Sequence, residues 1–329
     1  MSVMGLAGTN RFLRTLGIYL IKRNRAFRSP LGQAMYLGYV SRRMRKLDKR
    51  PPFVHIETTN VCNARCTMCS YPIMQRPKGY MSDQLYLKIL RDCAEMRVAD
   101  VNLQYLGEPL LDQKICDRIR EAKEYGFRVQ MVSNASLLDE AKARGLLASG
   151  VDELRISMDG FTPKTFEDIR VGLKFEKVKG NVERFLDLRA RHRGARPRVV
   201  MCFVGLAGNQ SESKQFYDFW RGKVDLVLIS QARDWAGQLP LVQLGATYST
   251  SLPRVPCNHL WEEVIVLHDG RVTVCCESYD GQITVGDVRE QPLAEIWRGP
   301  AYERLRRLHR ENRAGEIPLC GACKYYAIW

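Results

Sequence analysis

The chain has 329 residues, 45% of them hydrophobic, enough to bury the core of one barrel-sized domain and a smaller module without disulfide staples. Its eleven cysteines fall in ligand-like groups, and no clear signal peptide precedes them, which points away from a secreted disulfide protein and toward a reducing cytoplasm. The net charge of +15 is uneven: residues 1–50 hold twelve Lys or Arg against the single acid Asp48, or +11, leaving +4 for the other 279.

Residues 1–50 form the first expected unit, a basic extension. Apolar residues lie between its charges (Phe12, Leu13, Leu16 and Ile18 to Ile21, then Met35 to Leu37, Tyr39 and Val40), the pattern of two amphipathic helices broken near Pro30. No apolar run is long enough to span a bilayer. Residues 11–50 are therefore expected either to lie on an anionic membrane surface, peripheral at the inner face, or to attract a phosphate-bearing substrate. The plainer alternative is a helical extension packed on the next domain with its charges in water. Nucleic acid is disfavoured, since no helix-turn-helix or aromatic-interleaved pattern accompanies the charge.

After Pro51-Pro52, strand and helix patterns alternate over residues 51–235, the second expected domain. The strands are predicted at Phe53–Thr59, Val101–Leu106, Arg128–Ser133, Glu153–Met158, Arg198–Val204 and Asp225–Ala232. The helices are predicted at Ser82–Met96, with Ser82 as N-cap, and at Gln113–Tyr125, Leu138–Ala148, Val178–His192 and Glu212–Trp220. Six βα units give an α/β fold, an open (β/α)6 version of the TIM-like barrel, with chemistry expected at the carboxyl ends of the strands.

Cys62, Cys66 and Cys69 follow the first strand with the spacing C-x3-C-x2-C. Three thiolates on one loop suit an iron–sulfur cluster or zinc. A structural zinc site wants four closed ligands, whereas three leave a position open to a group that is not protein. Leu106-Gly107-Glu108-Pro109 ends the second strand, Val132-Ser133-Asn134-Ala135 the third, and Ile156-Ser157-Met158-Asp159-Gly160 the fourth, with Arg170 further on. In this order the motifs resemble those of the radical S-adenosylmethionine (radical SAM) superfamily. The resemblance implies that Cys62, Cys66 and Cys69 hold a [4Fe–4S] cluster whose open iron chelates S-adenosyl-L-methionine. It further implies that Gly107 and Glu108 hold the methionine amino group, and that Ser133, Asn134, Ser157 and Arg170 bind the carboxylate and ribose hydroxyls. Three departures stand out: Leu106 replaces a glycine, Ala135 replaces a glycine, and Met68 replaces an aromatic residue set against adenine.

From about Ala236 the pattern changes to short strands and clustered cysteines, the third expected unit at residues 236–329. Cys257, Cys275, Cys320 and Cys323 give C-x17-C-x44-C-x2-C, enough to close one [4Fe–4S] cluster, with a zinc ribbon as the structural alternative. Residues 261–276 read as a hairpin turning at Asp269-Gly270. Together with Val285-Gly286-Asp287-Val288 and Leu293–Trp297 this resembles the SPASM/Twitch auxiliary-cluster domain, a β-hairpin plus helix, the single-cluster Twitch type fitting better. The pattern leaves open whether Cys275 or Cys276 is the ligand. Cys93 and Cys116 read as core residues, and Arg233, Trp235 and Glu277 as ordinary surface or packing.

The resemblance implies two [4Fe–4S] clusters, an electron donor such as flavodoxin or ferredoxin, and a 5′-deoxyadenosyl radical that removes a substrate hydrogen. The leading expectation is an oxidoreductase that dehydrogenates an alcohol of a carbohydrate-like small molecule, a sugar or aminocyclitol. The rival is an epimerase in which Cys276 or Cys202 returns a hydrogen atom. A non-enzymatic iron–sulfur or zinc protein is the alternative from another class.

Overall fold

The computed structural model describes residues 49–194, 196–239, 254 and 256–324, preceded by Gly38, Arg42, Met44 and Leu47. Most of the expected basic extension lies outside the described residues. The four described before residue 49 are helical, with Met44 buried and Leu47 packed against the main core.

Six strands run parallel: β1 (Phe53–Ile56), β2 (Asp100–Asn102), β3 (Arg128–Ser133), β4 (Glu153–Ser157), β5 (Arg198–Gly205) and β6 (Leu226–Gln231). Helices α1 (Asp83–Glu95), α2 (Ile115–Glu124), α3 (Glu140–Ser149), α4 (Pro163–Ile169), α5 (Phe175–Arg191) and α6 (Ser213–Trp220) connect them. β1 and β3 bury alternate residues: in β3, Val129, Met131 and Ser133 are buried, and Arg128, Gln130 and Val132 are half-buried on the other face. This is the expected open partial barrel.

The strands at the carboxyl end of the chain continue the same sheet. β7 (Glu263–Val266) pairs in parallel with β1, then β8 (Arg271–Thr273) and β9 (Thr284–Asp287) add antiparallel, giving one nine-stranded sheet ordered β6-β5-β4-β3-β2-β1-β7-β8-β9. The expected hairpin is present and turns at Gly270, whose φ of +95° suits glycine. Helices α7 (His259–Glu262), α8 (Leu293–Arg298), α9 (Pro300–Arg310) and α10 (Pro318–Ala322) complete it. β7 therefore brings the later cysteines beside the strand that leads into Cys62.

β1 ends three residues short of its sequence-predicted boundary because the chain there changes partners. Thr59 Oγ1 donates to the Gly79 carbonyl at 2.8 Å, and Asn60 exchanges side-chain bonds with Pro77 and Gly79 at 2.8 Å each. Local side-chain to backbone bonds have replaced the ladder.

Candidate active site

The loop carrying Cys62, Cys66 and Cys69 is stitched at both ends. Arg65 N–H donates to the Val171 carbonyl at 2.8 Å and Thr67 N–H to that of Ile169 at 2.9 Å, so the segment after α4 backs the loop. The Tyr71 hydroxyl accepts from Cys62 N–H at 3.0 Å and lies 3.2 Å from the Cys62 carbonyl, while Tyr71 N–H donates to Cys69 Sγ at 3.4 Å. Burial pushes the Cys62 thiol up to about 12 and the Cys69 thiol up to about 11, and charge on the neighbouring cysteines pushes the same way. Burial also raises Cys66, opposed by Arg170, whose guanidinium lies 3.7 Å from its sulfur. Such thiols stay protonated until a cation displaces the protons, the usual coupling of metal loading to proton release.

Gly107 has φ +86°, and a Cβ there would stand 2.7 Å from the Thr59 carbonyl and 2.8 Å from that of Val61. The close approach that glycine permits is thus to the cysteine loop's own backbone, and Glu108 N–H donates to the Val61 carbonyl at 2.8 Å. The fully buried Glu108 carboxylate accepts from Ser133 Oγ at 2.7 Å, Asn134 N–H at 2.7 Å and Leu110 N–H at 3.1 Å. Burial raises its pKa and these donors oppose the shift. Three acceptor sites are spent, of the roughly four a carboxylate offers. Asn134 Nδ2 donates to Asn63 Oδ1 at 3.0 Å, next to Cys62. Ala135 takes the left-handed φ of +56°, so the turn forms without the glycine expected there.

Arg170 is fixed by the buried Asp159, its Nε donating to Oδ2 at 2.6 Å, while Asp159 Oδ1 accepts from Val204 N–H at 2.7 Å. Burial raises Asp159 against the pull of that guanidinium. Ser157 is half-buried at the end of β4 and pairs in register with the half-buried Cys202 of β5. Burial pushes the Cys202 thiol up to about 11. Met68 is buried, and its carbonyl accepts from Trp235 Nε1 at 2.8 Å.

In the distal region, Cys257, Cys275, Cys320 and Cys323 lie within electrostatic range of one another. Burial and then neighbouring cysteines raise Cys257 and Cys275 well above an ordinary thiol. Cys257 N–H donates to His309 Nδ1 at 3.2 Å, and Arg254 binds the carbonyls of Cys320 and Cys323. Cys276 also lies within electrostatic range of Cys275 and Cys323, and in addition Arg233 donates to its sulfur at 2.8 Å and the buried Glu277 lies 3.7 Å from it. Among the described residues no three His, Cys, Asp or Glu side chains are close enough to hold a single metal ion as they stand. The thiols are neighbours, not a closed tetrahedron, and their number and type fit iron–sulfur ligation.

Sequence reasoning gave Arg233, Trp235 and Glu277 as ordinary surface or packing near the edge of the site; Trp235 joins the Met68 carbonyl to Tyr279, and Arg233 and Glu277 flank the Cys276 sulfur. It missed Glu57, Arg76 and His268 altogether. Arg76 holds the fully buried Glu57 through both guanidinium nitrogens, one at 2.5 Å, and donates through Nε to the Tyr279 carbonyl at 2.7 Å, while His268 N–H donates to Glu57 at 3.2 Å. No local pattern announces these residues, because the partners are up to 211 positions apart.

Residues 56–219 match the model of the radical SAM superfamily, and residues 257–324 match that of SPASM, an iron–sulfur cluster-binding domain. The chain belongs to the radical SAM superfamily, as an enzyme with a carboxyl-terminal SPASM domain, and the two domains imply S-adenosylmethionine and [4Fe–4S] clusters. Among its relatives, an uncharacterized protein of Treponema pallidum is 24% identical over 307 residues, covering 88% of this chain and 83% of the relative. The S-adenosyl-L-methionine-dependent 2-deoxy-scyllo-inosamine dehydrogenase of Niallia circulans is 21% identical over 286 residues, covering 86% and 96%. Among solved structures, BtrN in complex with AdoMet and 2-DOIA superposes with a TM-score of 0.57 at 18% identity, covering 84% of this chain and 94% of BtrN. Streptococcus suis SuiB bound to precursor peptide SuiA gives 0.65 at 14% identity, covering 84% and 72%. At such identities the structures show the fold. Among the described residues no helix is long and apolar enough to cross a membrane.

Proposed function

We propose that this enzyme dehydrogenates an alcohol of a carbohydrate-like or aminocyclitol substrate. One observation carries the reading: the first cysteine loop and the distal Cys275-Cys276 segment border a single aromatic wall. Tyr71, Tyr105, Leu106, Ile265, Leu267 and Tyr279 pack into one apolar cluster, against which Cys62, Cys69, Trp235 and Cys276 all lie. Tyr105 hydroxyl donates to the carbonyls of Cys275 and Cys276 at 3.1 and 3.2 Å, and the Trp235 and Tyr279 rings meet edge to face, centroids 6.1 Å apart. A substrate seated there is close to a hydrogen-abstracting centre on one side and an electron acceptor on the other. When bound, S-adenosylmethionine and the two clusters supply that hydrogen abstraction and that electron acceptance.

We assign Cys62, Cys66 and Cys69 to the first cluster and Cys257, Cys275, Cys320 and Cys323 to the second. Cys275 is chosen over Cys276 because the Cys276 sulfur already accepts from Arg233, whereas among the described residues no such donor reaches that of Cys275. Met68, Gly107, Glu108, Ser133, Asn134, Ser157 and Arg170 are assigned to S-adenosylmethionine. Arg170 also places a permanent cation beside Cys66, and the apolar wall keeps water from the reacting groups. One relative of similar length, named as an aminocyclitol dehydrogenase, supports the same reading, while others are named as GTP 3′,8-cyclases or PqqA peptide cyclases. The electron donor is expected to be flavodoxin or ferredoxin.

A second reading, epimerisation, is favoured by the Cys276 thiol lying against the aromatic wall with Arg233 and Glu277 beside it. The test is anaerobic reconstitution with dithionite and 2-deoxy-scyllo-inosamine as probe, alongside a panel of amino sugars. Dehydrogenation predicts 5′-deoxyadenosine and a trappable ketone in equal amounts, unchanged in kind in Cys276→Ala and Cys202→Ala. Recovered substrate carrying solvent deuterium, lost in Cys276→Ala or in Cys202→Ala, would establish epimerisation and reject the ketone.

A further inference from the structure

We infer that the amino-end rim of the barrel docks on an anionic lipid bilayer. Lys49 and Arg50 lead into β1, Arg97 precedes β2 by three residues, and Arg298 ends α8. All four are exposed. Arg50 donates to the Arg97 carbonyl at 2.9 Å, and Arg298 donates to the Lys49 carbonyl through two nitrogens at 3.4 and 3.3 Å. Two arginines are thus anchored on the backbone of two other cations, and among the described residues none of the four has a carboxylate partner. The acids nearest in sequence are Asp48, Glu95 and Glu295, with Asp100 at the start of β2 paired to Arg128, against the further exposed cations Arg42 and Arg91.

Like charges gathered without counter-ions repel one another until an anionic surface neutralises them. Arg97 adds a second sign that this cation is retained at a cost. It closes α1 in a Schellman motif, Arg97 N–H donating to the Ala94 carbonyl at 2.9 Å and Val98 N–H to that of Cys93 at 3.0 Å. Its φ is +53°, where glycine is the favoured residue. The extension of +11 over residues 1–50 ends at this same rim, through the seated Met44 and Leu47.

A bilayer fits better than a small anion, because the cations are spread over separate elements on an exposed face instead of converging in a buried pocket. It fits better than a nucleic acid, because among the described residues no aromatic platform accompanies the patch. The rim is also at the opposite end of the strands from Glu108, Ser133 and Asp159, so docking leaves the carboxyl-end site free.

The test is co-sedimentation of the full, reconstituted chain with vesicles of phosphatidylcholine alone or mixed equally with phosphatidylglycerol. Binding is expected only to the mixed vesicles, falling as salt rises. Arg298→Gln should weaken it about fivefold, and Arg97→Gly by a similar factor, since each exposed cation near an anionic surface contributes to about that extent. Arg97→Gly relieves the backbone strain while removing the charge, so weaker binding with a raised unfolding midpoint separates docking from folding. Equal binding to both vesicles, unchanged binding in both variants, displacement by inorganic phosphate at matched ionic strength, or stronger retention on duplex DNA would each overturn the proposal.

Discussion

The two cysteine regions are built in opposite ways. Cys62, Cys66 and Cys69 come from eight consecutive residues whose backbone is stitched to residues 169–171, so one loop carries the whole set. Cys257, Cys275, Cys320 and Cys323 come from four places along 67 residues and meet only because β7, β8, α9 and α10 pack as they do. A local set needs a rigid loop; a dispersed set needs the whole module. Besides the β1–β7 pairing, the buried pair of Glu57 and Arg76 joins them, binding the cysteine loop's exit to Tyr279 and His268.

Breaking that join gives the largest expected effect. Arg76→Ala leaves the Glu57 carboxylate buried and uncompensated, which costs about 3–5 kcal/mol. Urea unfolding should show a much lower midpoint, and reconstitution should load less iron in both regions. The double variant Glu57→Gln with Arg76→Met removes the stranded charge and should recover much of the loss. A single variant within 1 kcal/mol of the parent would show that the pair does not hold the two regions together.

The contrast also explains what could be read in advance. The six parallel strands, their helices and the first cysteine triplet follow from alternation, caps and spacing, all local properties; the Ser82 N-cap, for example, accepts from Leu85 N–H. Two helices were readable and overlooked: Thr162-Pro163 opens α4 and Pro300 opens α9, both with proline at the first turn. The position of β7 beside β1 was not readable, because a parallel pairing between residues 53–56 and 263–266 has no local signature. The same holds for the distal site. Spacing leaves Cys275 and Cys276 equivalent, and it has no way to show that the Cys276 sulfur accepts from Arg233, 43 positions away.

The dispersed region carries a pH sensitivity of its own at His309. Burial, then the nearby Arg254, lowers His309 from its ordinary 6.5 to about 4, and as the neutral ring it accepts from Cys257 N–H. Between these values the unfolded chain binds the proton and the folded chain does not, so stability is full above pH 6.5 and is lost as pH falls toward 4. The expected loss between pH 7 and 5 is about 2 kcal/mol. His309→Asn should be less stable at pH 7 yet lose less on acidification. An equal loss in both proteins would remove His309 as the cause.

Ala135 gives the smallest expected effect and the sharpest test of the local loop. It sits at φ +56° directly after Asn134, where its Cβ strains the backbone, and its N–H donates to Ser133 Oγ at 2.9 Å. Its carbonyl accepts from Asn181 Nδ2 at 2.9 Å, so the turn is held from outside by α5. Ala135→Gly removes the strain but adds freedom to the unfolded chain and deletes a fully buried methyl, so the terms nearly cancel. The expected change is within about 1 kcal/mol of the parent, with 5′-deoxyadenosine formation preserved. Asn181→Ala should cost more, about 1–2 kcal/mol, because it unties the turn and leaves the Ala135 carbonyl buried without that donor. If the glycine variant instead lost activity while Asn181→Ala did not, the turn would depend on the alanine itself, and the local loop would be less self-sufficient than its hydrogen bonds indicate.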